Sequence, residues 1–423
     1  MTAVQISSVR AIEILDSRGR PTLAVRVTSG DAILGSSSVP SGASTGSGEA
    51  VERRDGDPKR FGGLGVRGAV DAVNGEIAEL LTSRKWPDLE QVDQALIELD
   101  GTPHKFRLGA NAILGVSIAV ARTMAAAAEA PLWSWLRPDG VLPRLPVPHF
   151  NVVNGGAHAP NQLDFQEFMI APLGAPTITD AVRAGVEVYT MLRSRLADLG
   201  HHTGLGDEGG FAPDITEPED VLGLLIEAID GAGYRADRDG VAIALDPAAS
   251  GFRQVDGSYL VGGQRHSTAD LVERYAAIVA RYPVWSIEDG LGEDDDDGWR
   301  LLTERLGAQV QLVGDDSFVT DPARIRHAAG VGIANAALIK PNQIGTLSEC
   351  LEAMATCRRI GYAQMVSHRS GETCDDLIAD LAVGSGCGQI KAGAPARGER
   401  VAKYNRLLEI ESTHSDLPYG LPG

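Results

Sequence analysis

Near the start of the chain, AVRVTSG and ILGSSSV alternate apolar with polar residues, and DSRGRP and SGD read as turns, so an antiparallel meander is expected. The period then changes. VRGAVDAVNGEIAELL and ANAILGVSIAVARTMAAAA carry apolar residues at three-to-four spacing, which predicts helices. RPDGVLPRLPVP follows, too rich in proline for a helix or central strand to run through it, and it marks a domain boundary near residue 140.

Beyond that boundary, short apolar runs end in polar residues and lead into helical patterns: VAIALD, VWSIED, VQLVGDD, NAALIK, QMVSHRS and CGQIK. DVLGLLIEAIDGAG stops at its glycine and DLVERYAAIVARYP at its proline. Strand followed by helix, repeated, predicts a parallel α/β architecture. A (β/α)8 barrel fits the length best, and a doubly wound open sheet is the competing arrangement.

In such a barrel, polar residues at the C-terminal ends of the strands converge on one mouth. Asp246, Glu288 and Asp315 each terminate a different run. One aspartate after a strand is ordinarily a helix cap. Three carboxylates at successive strand ends repel one another unless a hard divalent cation neutralises them, and oxygen-only ligation selects Mg²⁺ over Zn²⁺. Lys340 and Lys391 end two further runs, and a partly desolvated lysine beside a second cation can serve as a base. Arg369 adds a planar fork for a carboxylate or phosphate, flanked by His368 and Ser370. The residues describe a site for a small, strongly anionic substrate. NGGAHAPNQLDFQEFMI, with His158, Gln166 and Glu167, and TGLGDEGGFAP, with Glu208, are either ordinary turns or further parts of it. PSGASTGSGEA lacks the GK[ST] ending of a P-loop and fits a mobile lid at least as well. GEDDDDGW reads as a solvated loop.

Composition narrows the function. The net charge of −19, from 57 acidic and 38 basic residues, argues against nucleic acid or an anionic membrane as partner, so any anion must meet locally supplied cations. The apolar-leaning run from Leu108 to Ala121 is short for a membrane span and reads as a buried helix. Four cysteines without CxxC spacing, and no secretory leader at MTAVQISSVR, fit reduced thiols in the cytoplasm.

Taken together, the segments resemble the enolase family: PSGASTG, NGGAHA, QEFMI, GDEGG, SIED, GDD, NQIGT, SHRSGET and GQIK occur in family order and at family-like spacing. The resemblance implies a modified (β/α)8 TIM-type barrel over residues 139–423, preceded by a small α+β N-terminal capping domain over residues 1–138. It also implies a homodimer and Mg²⁺-dependent interconversion of 2-phosphoglycerate and phosphoenolpyruvate, with two Mg²⁺ per active site. By that analogy Asp246, Glu288 and Asp315 hold the first ion, and Ser44 helps to hold the second. Lys340 is the base, Glu208 supported by Glu167 is the acid, and His158, Arg369, Ser370 and Lys391 grip the substrate, with Gln166 and His368 beside them.

The surroundings depart from the family pattern at His149, Pro160, Gly251, Ser317, Cys374 and Ala392. Two enzymatic readings therefore stand: a phosphopyruvate hydratase, or an enolase-like carboxyphosphonoenolpyruvate synthase reusing the enolate chemistry on a phosphonate-bearing substrate. A non-catalytic binding or structural homologue is the third, and intact Lys340 and Glu208 argue against it.

Overall fold

Three antiparallel strands, β1 (Ser8–Leu15), β2 (Pro21–Ser29) and β3 (Ala32–Ser38), open the fold in the computed structural model, which describes residues 3–30, 32–43 and 45–422. The alternation of β2 puts Leu23, Val25 and Val27 on one fully buried face. That face packs against helix α1 (Ala110–Ala127), whose alanine-rich surface lets the sheet come close. At Gly35 the approach is so tight that a β-carbon would lie 1.9 Å from the Ala119 carbonyl oxygen. Helix α1 is long and apolar enough to cross a bilayer, but 83% of its apolar window is buried within the protein, as expected for a core helix. The preceding helical pattern does not run unbroken: it kinks at Gly75, which leaves helical geometry.

Eight strands then close into a barrel, in spatial order β4 (Val147–Asn154), β5 (Glu167–Ala171), β6 (Ala242–Asp246), β7 (Val284–Glu288), β8 (Gln311–Gly314), β9 (Ala336–Ile339), β10 (Ala363–Ser367) and β11 (Gln389–Lys391), which returns to β4. Buried on both faces, they read as the near-continuous apolar runs expected of barrel strands. The closed barrel excludes the open sheet. It is not wholly parallel, however, because β5 pairs antiparallel with both β4 and β6. QEFMI is thus a strand rather than part of a turn. Helices α2 (Ile178–Asp198) and α3 (Pro218–Gly231) follow β5 together, and a strand–helix alternation begins only at β6.

Local chemistry starts the outer helices where they are needed. Ser267 and Asp270 form a capping box at α4 (Thr268–Arg281). Asp295 caps α5 (Asp296–Leu306), so the acidic run opens a helix instead of remaining a loop.

The barrel interior is partly polar. Gln311 and Gln389 exchange amide hydrogen bonds of 2.9 and 2.8 Å, and Gln311 also reaches Ser286. Buried His149 accepts from the Trp285 indole N–H at 3.2 Å, while its Nδ1 lies 3.3 Å from the Val147 carbonyl. Burial pushes its pKa down to about 4, so the ring is neutral. Between the unfolded value of about 6.5 and the folded value, only the unfolded chain binds this proton, so the native state should lose about 3 kcal/mol from this group as the pH falls through that window. His149→Gln is expected to flatten the urea midpoint between pH 7 and pH 4.5, whereas parallel wild-type and variant curves would refute the assignment.

Candidate active site

Lys391, the last residue of β11, carries its ammonium into the barrel mouth. Its Nζ lies 2.9 Å from Asp246, 2.8 and 2.9 Å from the two oxygens of Glu288, and 3.0 Å from Glu167. Asp246 and Glu288 end β6 and β7, whereas Glu167 begins β5. The reversed strand explains this convergence, since its first residue stands at the mouth where the other strands finish; Glu167 is in register with Asp246. Burial disfavours the Lys391 charge, but Asp246, Glu167 and Glu288 outweigh it and hold its pKa well above the ordinary value.

Glu208 approaches from the loop after α2, and its carboxylate lies within 4.8 Å of those of Glu167 and His158's ring. It accepts from Asn151 at 3.0 Å and stands 2.9 Å from Nε2 of His368. His368 is neutral, since burial pushes it down to about 3; its Nδ1 receives a hydrogen bond from Arg400 at 2.6 Å. Burial and the facing Glu208 push Glu167 well up, whereas Glu208, against the effect of burial, is held well down by His368 and His158. The two carboxyls are thus pushed in opposite directions, Glu167 toward its proton-bearing form and Glu208 toward its ionised one.

Lys340 follows β9, four strands round the barrel from β5 and hence on the opposite wall. Its Nζ contacts Asp315 at 2.5 Å, and Gln343 donates to the other Asp315 oxygen at 2.8 Å. Burial lowers the lysine's proton affinity, but Asp315 more than restores it, so Lys340 is charged in this arrangement. Asp289, at a left-handed φ of 40°, accepts the amides of Asp315 and Asp316, both at 2.9 Å, and fixes the turn that presents them.

Asp246, Glu288 and Asp315 thus sit buried at the ends or just beyond three adjacent strands, as the sequence led us to expect. Burial, Asp246 and Asp315 push the Glu288 carboxyl well up, which shows how much positive charge the cluster needs. The two lysine ammonium groups meet part of that need. Carboxylate oxygens without thiol or imidazole among them fit a hard divalent cation. Among the described residues, the carboxylate trio whose oxygens all lie within 4.8 Å of one another is Asp289, Asp315 and Asp316, rather than Asp246, Glu288 and Asp315.

His158, Gln166, His368, Arg369 and Ser370 line one cleft with Glu167, Glu208, Asp246, Lys340 and Lys391, while Glu288 and Asp315 reach it through their contacts with Lys391 and Lys340. Ser44 lies outside the described residues. The flanking segment is tied to the barrel: Ser41 pairs with Gly371 through backbone bonds of 2.7 and 2.9 Å, and Glu49 grips Arg369 with both oxygens at 2.9 and 3.1 Å. Sequence reasoning missed Glu49, although its being the one charged residue of PSGASTGSGEA was a faint signal. It also missed Arg400, fully buried, which donates to the carbonyls of Arg369 and Ser370, both at 2.5 Å, and of Asp207 at 3.0 Å. Cys374 is an exposed free thiol shortly before the helix Leu377–Ser385, apart from the cleft lining.

Comparison with known proteins accords with this geometry. Residues 6–136 match the family model "Enolase, N-terminal domain", and residues 143–418 match "Enolase, C-terminal TIM barrel domain". A protein named Enolase from Acidothermus cellulolyticus is 54% identical over 412 residues, spanning 97% of this chain and 95% of that relative.

The Glu49–Arg369 pair makes a prediction for the lid. Glu49→Gln should speed amide hydrogen exchange in residues 45–50 by about tenfold or more, because loss of the bidentate ion pair releases the loop from the barrel. Unchanged exchange would show that the backbone pairing at Ser41 and Gly371 suffices to hold it.

Proposed function

The chain belongs to the enolase family of carbon–oxygen lyases, and from that premise we propose that it dehydrates 2-phosphoglycerate to phosphoenolpyruvate, with Mg²⁺ as its metal. The observation that carries the reading is the placement of Lys340 and the Glu167–Glu208 pair on opposite walls of one buried cleft. An elimination that takes a proton from one carbon and loses hydroxide from the next needs a base and an acid separated in this way.

Lys340 takes the proton α to the substrate carboxylate. A proton favoured on Glu167 passes to Glu208, which delivers it to the departing hydroxyl, and the hydroxyl leaves as water as the carbon–carbon double bond forms. Asp246, Glu288 and Asp315 would hold a divalent cation, which would supply positive charge at the substrate carboxylate; with Asp315 so engaged, Lys340 would lose the anion that keeps it protonated and could act as a neutral base. The family of sites pairing a lysine base with Mg²⁺ is a standard example of this chemistry. Arg369 and Ser370, with His158, His368, Gln166 and Lys391, bind and orient the anionic groups. The substrate's phosphate replaces Glu49 on Arg369, so the lid exchanges its own carboxylate for the ligand.

Ser44 as a ligand to a second Mg²⁺, the homodimer, the cytoplasmic location and the division into residues 1–138 and 139–423 form part of the same proposal. The departures from the family pattern do not remove a group from the cleft: His149 is a neutral core residue, and a side chain at Gly251 would meet open space. No feature of the site favours the phosphonate-handling alternative.

Purified protein given Mg²⁺ and 2-phosphoglycerate should generate the ultraviolet absorbance of a conjugated enol. Metal-dependent substrate binding without turnover would overturn the assigned reaction. Lys340→Ala should lower exchange of the α-proton with solvent by roughly a thousandfold while the far-ultraviolet spectrum stays native. Wild-type exchange in that variant would eliminate Lys340 as the base.

A further inference from the structure

The barrel has a second open end. Around the N-terminal ends of its strands lies a cavity of about 680 Å³, within the range that holds a small organic ligand. Its floor is built from Trp285 of β7 and from Gln311, Gln364 and Gln389 at or near the starts of β8, β10 and β11. Leu142, Arg144, Leu421 and Pro422 contribute to its wall, and Arg358 of the helix Leu347–Ile360 enters from the side. The cleft described above lies at the opposite, C-terminal ends of these strands.

The lining is electrically unlike the rest of the molecule. A chain of net charge −19 surrounds this cavity with two arginines and, among the described residues, no aspartate or glutamate. Among the described residues, neither arginine forms an ion pair. Arg144 donates only to the main-chain carbonyls of Gly420 and Leu421, at 3.2 and 2.5 Å. Arg358 has a buried Nη1 with no acceptor, and burial lowers its pKa, as for a guanidinium without a compensating anion. On the same lining, Gln364 has a buried Oε1 with no donor. A half-desolvated cation and an unmet amide carbonyl are each costly to leave unpaired. Gln311 and Gln389 satisfy each other, so the floor between these groups is already ordered.

We propose that this cavity binds a flat organic anion: one acidic group pairs with Arg358 near Arg144, and a ring bearing a hydrogen-bond donor lies against Trp285 and Tyr362 and donates to Gln364. Purely apolar ligands would leave the arginine unmet, and inorganic phosphate alone would fill little of the space. Both a mononucleotide and an aromatic amino acid have the required chemistry, so AMP and anthranilate serve as probes that distinguish them.

Each probe is titrated into the whole protein by calorimetry, with and without saturating inorganic phosphate and Mg²⁺ to occupy the catalytic cleft. The expected result is one site per chain for at least one probe, unaffected by phosphate and weakened at least tenfold in both Arg358→Ala and Leu142→Glu. Leu142 is 63% exposed, so the second variant adds repulsive charge at the rim without disturbing the core. Turnover and the thermal midpoint report that each variant is folded, and turnover is expected to be unchanged. Absence of binding by both probes, binding that phosphate displaces, or binding indifferent to the two substitutions would overturn the proposal.

Discussion

A single nitrogen, Lys391 Nζ, touches carboxylates from three strands and makes the barrel mouth compatible with burial. Asp246, Glu288 and Glu167 are almost wholly withdrawn from water, and three such anions at close quarters would otherwise protonate or force the strands apart. With the lysine in place, the strand ends can stay close and dry. The same arrangement leaves the cluster short of positive charge, because one ammonium faces three acids and Lys340 is committed to Asp315. Structural compensation and an appetite for a divalent cation are therefore two consequences of one charge imbalance.

The reversal of β5 follows the same logic. If that strand ran with its neighbours, Glu167 would lie at the far end of the barrel, away from Lys391 and Glu208. Running backwards, it delivers its first residue to the mouth and places a carboxylate pair across from Lys340. The N-terminal sheet then supplies what the barrel lacks. Arg18 reaches the carbonyls of Ser41 and Gly42, Ser41 zips to Gly371, and Glu49 covers Arg369. The cleft is closed from above by a segment whose own anion imitates the ligand's charge.

Much of the polar cluster at the barrel mouth was legible because strand-end polarity is a local property. Asp246, Glu288, Asp315, Lys340 and Lys391 each follow an apolar run short enough to be a barrel strand, and a barrel sends all such ends to one face. Glu167 was harder, since the polar residue precedes its strand and the signal is the mirror image of the others. Arg400 and Glu49 were hidden for a different reason: each looks like an ordinary surface residue in its own segment, and acquires its role only from partners far away in the chain. Asp289 belonged to a recognised motif, but its work, holding the amides of Asp315 and Asp316, depends on a turn that the motif does not spell out.

By itself the sequence determined the repeated strand–helix architecture, the buried helix under the N-terminal sheet and the polar groups at the strand ends, because period and strand-terminal chemistry are written in consecutive residues. Tertiary structure decided the closure of the barrel, the direction of β5, which cation answers which anion, and that the opposite mouth gathers arginines without acids among the described residues. Those outcomes are set by distances and desolvation among residues remote in sequence, and electrostatic energy in a buried site depends on both.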